Sequence, residues 1–104
     1  MSDYIEELQA TFLRLHNCTA KYVESVSVLE EFQGETVWQG DVEVFELLDH
    51  PKAKMGYGWG YATSEQGRRY ITVLELPPVT SPQTAVKAAV VSEIRNARQK
   101  TKSR

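Results

Sequence analysis

The chain has 104 residues, 41% of them hydrophobic and 25% charged, which suits one ordinary globular core. Its single cysteine, Cys18, allows no internal disulfide, and no run approaches the roughly 18–20 apolar residues that span a bilayer. The formal net charge is −2, yet residues 1–50 hold 11 acids against two bases, and residues 51–104 hold ten bases against three acids. Such segregation either pairs within one small fold or leaves an acidic and a basic side, able to meet polyanions or copies of the same chain.

The opening segment is acidic and has neither the basic start nor the apolar run of a secretory signal, so a cytoplasmic location is expected. Ile5, Leu8, Phe12 and Leu15 recur at helical spacing, which predicts a helix over 3–16 with that stripe buried. Asp3 followed by Glu6 has the form of a capping box, and Asn17 can take the left-handed conformation that stops a helix. From 19 to 29 the chain is rich in β-branched residues, a strand with Tyr22, Val26 and Val28 on one face. A turn at 32–35 leads to a second strand over 36–48. There Trp38, Val42 and Val44 oppose Gln39, Asp41 and Glu43, and Gly40 suggests a bulge or bend. His50 and Pro51 end it.

The third strand, 53–61, alternates most clearly. Ala53, Met55, Tyr57, Trp59 and Tyr61 share one face, while Lys52, Lys54, Gly56, Gly58 and Gly60 share the other. The lysines in phase with the glycines place the glycine face in water and the rings in the core. Were the rings exposed instead, Tyr57, Trp59 and Tyr61 would form a platform for stacking bases. A turn at 64–67 precedes a fourth strand over 70–76, closed by Pro77 and Pro78. Ser81 and Pro82 form a helix start, and Val86, Ala89, Val90, Ile94 and Ala97 give that helix its apolar stripe.

The expected fold is therefore α+β, ordered α-β-β-β-β-α. A four-stranded antiparallel meander carries the N- and C-terminal helices packed on one face. Residues 1–99 form a single domain and 100–104 a basic tail without fixed structure. The helix–sheet–helix order resembles the topology of the double-stranded RNA-binding fold, which has one strand fewer. That family opens its last helix with clustered lysines; here the corresponding turns hold Lys87 alone, so its RNA-contacting residues are not carried over.

Two binding surfaces stand out. One is the bare backbone strip of Gly56, Gly58 and Gly60, able to admit a protein partner or a second copy closely. The other is the cationic side of the last helix, with Lys87, Arg95, Arg98 and Lys102, in phase to track phosphates or simply to face water. Catalytic signals are weak. Asp41, Glu43 and Glu46 read as a solvated strip rather than an acid–base pair, which needs one carboxyl in an apolar pocket. His16, Cys18 and His50 fall short of the four close ligands of structural zinc, and nothing local activates Cys18 as a nucleophile. The glycines alternate within a strand rather than opening a phosphate loop, so neither a metal nor a cofactor is expected. Three functions remain, in this order. The first is a non-catalytic intracellular interaction domain that self-associates or docks a protein partner. The second is an RNA- or DNA-binding module, and the third a small enzyme or ligand-binding domain.

Overall fold

The structure, a computed structural model, describes residues 3–62 and 68–102. Along the chain lie α1 (Asp3–His16), β1 (Ala20–Phe32), β2 (Glu35–Leu47), β3 (Met55–Ala62), β4 (Arg68–Leu74) and α2 (Pro82–Lys102). The strands form one open antiparallel sheet in the order β1-β2-β3-β4, the α+β meander expected from the short connections. Local chemistry explains the boundaries. Asn17 sits at φ 54°, ending α1 while its N–H donates to the Leu13 carbonyl at 3.0 Å. Gln33 and Gly34 both take positive φ between the paired residues Phe32 and Glu35, as a two-residue hairpin loop requires. The Ser81 hydroxyl caps α2 by accepting the Thr84 N–H at 3.2 Å. The helix is continuous through Lys102, three residues into the segment read as a tail. The turn expected at 64–67 lies outside the described residues, as do residues 103 and 104.

The two helices do not share a face. On one side of the sheet, Val28, Val42, Val44, Tyr57 and Trp59 pack against Val79, Ala85 and Val86, the last two on α2. On the other, Leu8 and Phe12 of α1 pack with Cys18, Ala20, Phe45 and Leu47. The arrangement is three layers, helix–sheet–helix, in place of the two expected. The inward assignment of the rings holds for Tyr57 (4% exposed) and Trp59 (2%), whereas Tyr61 stands 40% exposed near the strand end.

The glycine strip is the correction that follows. Gly56 and Gly58 are buried and Gly60 is half-buried, all under α1. A Cβ on Gly56 would stand 2.6 Å from the Phe12 ring, one on Gly58 3.0 Å from Leu8, and one on Gly60 3.0 Å from Tyr4. The match is metrical. Successive α1 residues Tyr4, Leu8 and Phe12 are four apart, about 6 Å along a helix axis. Successive glycines are two apart, about 6.7 Å along a strand. Three side chains therefore seat in three bare positions. The strip is a cradle for this chain's own helix, so it is not open to a partner or a second copy. Lys52 and Lys54, whose phase suggested an outward face, precede β3 and follow the connecting loop instead of the pleat.

Two further departures come from register. Between Tyr22 and Glu24 the β1–β2 pairing skips Val23, and this bulge reverses which residues face which layer. Tyr22 consequently meets Phe45 on the α1 side, ring centroids 5.7 Å apart, rather than joining Val26 and Val28 on the α2 side. The irregularity expected at Gly40 falls at Val37, while Gly40 pairs regularly with Val28. Leu15, expected in the buried stripe, is 56% exposed, because the docked row runs 4-8-12 and Leu15 lies beside it.

Candidate functional site

The β2–β3 pairing is short. It covers Glu43–Glu46 against Met55–Gly58. Beyond it β1 and β2 stay paired out to Phe32 and Glu35, and β3 and β4 out to Ala62 and Arg68. The sheet therefore forks into two hairpins. Their inner backbone edges face a gap that no ladder closes. Tyr4 of α1 reaches into it, and its hydroxyl accepts the Gly60 N–H at 2.9 Å in place of a β2 carbonyl.

The gap is a cleft of about 430 Å³ lined chiefly by Trp38, Asp41, Glu43, Gly60, Tyr61 and Tyr4, with Trp59 at its floor. On the α2 side it adjoins a smaller apolar pocket of about 210 Å³, where Trp38, Trp59 and Tyr61 meet Ile71, Ala89 and Val90. The indoles of Trp38 and Trp59 stand edge to face, centroids 5.4 Å apart at 63°. Gly40 leaves room for this, since a Cβ there would come within 3.2 Å of the Trp38 ring. Strand alternation sorts the lining. Trp38, Trp59 and Tyr61 point toward α2, and Asp41 and Glu43 point the opposite way, toward the α1 layer. Asp41 is exposed and accepts the Ser27 hydroxyl at 3.1 Å. Glu43, expected in a solvated strip, is only 7% exposed and accepts the Ser25 hydroxyl at 3.3 Å.

The remaining candidates are scattered. Lys87 is exposed on α2, while Arg95, Arg98 and Lys102 lie on the same helix with side chains outside the described residues. Cys18 is fully buried, and its thiol is pushed up by burial and then by the Asp49 carboxylate, the opposite of what a nucleophile needs. Tyr57 donates to Glu75 at 2.9 Å, and its hydroxyl is raised well above the ordinary range by burial and by that carboxylate. His50 Nδ1 accepts the N–H groups of Lys52 and Ala53, which shapes the loop before β3. Among the described residues, no group of three or more His, Cys, Asp or Glu comes together as a metal set, and no helix is long and apolar enough to cross a membrane.

His16 gives a pH-dependent test of the α1 docking. Its Nε2 is 2.9 Å from the Thr72 hydroxyl on β4, and its pKa lies below the ordinary 6.5 because of burial first and the charge of His50 second. Protonation therefore favours the unfolded chain, so this contribution to stability is intact above pH 6.5 and is lost as pH falls below it. The Tm of His16→Gln should consequently fall less than that of the native chain between pH 7.5 and pH 5.5. Equal slopes would place His16 in water.

The fork was not legible in the sequence, because it depends on where two strands stop pairing. The period-2 placement of Trp38 opposite Asp41 and Glu43 was the one available sign. Comparison with protein-family models, with curated proteins and with solved structures finds no match to this chain.

Proposed function

We propose that this chain is a non-catalytic interaction domain that docks a protein partner in the fork between its two hairpins. The observation that supports this reading is the pair of unladdered strand edges facing each other across a cleft with aromatic and acidic walls. Open edges offer backbone hydrogen bonds to an extended segment, and side-chain pockets beside them supply selectivity. The glycine face, covered by α1, has no part in it. An intracellular setting, the cytoplasm by preference, suits a chain whose single cysteine is free and buried.

A photo-crosslinking residue in place of Gln39, at the mouth of the fork, is compared in the native cell with one in place of Lys87 on α2. The expected result is a discrete protein adduct from position 39 that resists nuclease and disappears when Tyr61→Asp is added. Adducts confined to position 87 and removed by nuclease would replace this reading with nucleic-acid binding through the cationic helix.

A further inference from the structure

The fork presents two chemistries in sequence, and together they describe one kind of occupant. Trp38 and Tyr61 supply ring surface on the α2 side, closed underneath by the buried Trp59. Asp41 and Glu43 supply carboxylates on the other side of the same gap. A small inorganic cation would use the carboxylates and waste the rings. A purely apolar side chain would use the rings and strip water from the carboxylates without return. A long amphipathic cation satisfies both, laying its apolar stem on the rings and its charged head on the acids.

Charge points the same way. Among the described residues, no lysine or arginine lines the cleft. Glu43 is 7% exposed, and the hydrogen-bond donors it has are neutral hydroxyls, that of Ser25 at 3.3 Å and that of Tyr22. A buried carboxylate beside an open cleft gains from a cation arriving there. The β1–β2 hairpin extends this field, carrying Glu24, Glu30, Glu31, Glu35 and Glu46 besides Asp41 and Glu43, against Lys21 alone. Between the two natural candidates, arginine fits better. Its planar guanidinium can fork onto a carboxylate and is more weakly hydrated than an ammonium, which is a compact, strongly hydrated charge.

From this, and resting on the docking role proposed above, we infer that the fork is a recognition site for an arginine side chain presented by a basic segment of a partner protein. Rings and carboxylates read the same side chain at two points. Hydrophobicity alone does not fill the site, and neither does charge alone.

The chain's two tryptophans both line this cleft, so its intrinsic emission reports on the site directly. The full chain is titrated with N-acetyl-arginine methylamide and, in parallel, with N-acetyl-citrulline methylamide, a near-isostere without the charge. Saturable quenching is expected with the arginine compound, at least about fivefold tighter than with citrulline. Asp41→Asn, at an exposed position, should weaken arginine binding by about threefold or more and leave the Tm unchanged. Raising salt from about 50 to about 500 mM should weaken it as well. Equal affinity for arginine and citrulline, no effect of Asp41→Asn, or no saturable change with arginine would each overturn the assignment. Sedimentation of the chain alone tests for a second copy as occupant. Dimers that dissolve on adding the arginine compound would show the cleft filled by this chain's own basic end, and would also overturn it. A cross-link from position 39 that persists while the arginine titration fails would leave docking in place and remove its proposed chemistry.

Discussion

Replacing Gly56 by alanine is expected to destabilise the fold by about 3 kcal/mol, the upper part of the range for forcing a methyl into a filled core. Alanine in a strand would ordinarily gain up to about 1 kcal/mol over glycine by restricting the unfolded chain. That gain loses here. The new Cβ would stand 2.6 and 2.8 Å from two ring carbons of Phe12 and 3.3 Å from Leu47, and a packed ring cannot yield as a flexible chain end does. Either the ring leaves its rotamer or α1 lifts from the sheet. Phe12→Leu in the alanine background should recover part of the loss, with a coupling of about 1 kcal/mol or more in a double-mutant cycle. Urea unfolding of the four proteins measures both numbers. A neutral or stabilising Gly56→Ala would mean that α1 does not cover the glycines, and the three-layer arrangement would fall with it.

Trp59→Ala probes the opposite layer, and its expected cost is larger, about 3–5 kcal/mol for deleting a buried indole. Trp59 is 2% exposed and packs in a cluster with Val44, Tyr57 and Val86, its ring edge to face with Trp38. A domain of this size has about 5–15 kcal/mol in hand, so the variant should lose a large share of its stability or fail to fold at 37 °C. Trp59→Phe keeps most of the apolar volume and should remain folded, which lets the measurement proceed even if the alanine variant does not. A loss below about 1 kcal/mol would show that the indole is not part of the core.

These two substitutions bear on a point that alternation alone could not resolve. The even and odd positions of β3 were separable from the sequence, and so was the inward placement of Tyr57 and Trp59. Which side was wet was not, because both sides are covered. A glycine carries no side chain from which burial can be read, and a strip of three reads equally as bare surface or as seating for a helix. Phase with Lys52 and Lys54 decided for surface, and the loop they occupy broke that phase before the strand began. Tyr22 illustrates the same weakness. One extra residue at Val23 reversed its face, and nothing in a run of β-branched residues marks where such a bulge will fall.

By itself the sequence determined the elements and their order. Helical spacing of Leu8 and Phe12, the Asn17 stop, the Gln33–Gly34 turn and the Ser81 cap act over a few residues each, and local forces suffice to read them. The tertiary structure alone decided that α1 and α2 lie on opposite faces and that the sheet splits after Gly58. It alone brought Tyr4, Trp38, Asp41, Glu43 and Tyr61 around one gap. The reason is physical. Layer choice and the length of strand pairing are settled by competition among surfaces distant along the chain, and that competition exists only once the chain has closed on itself.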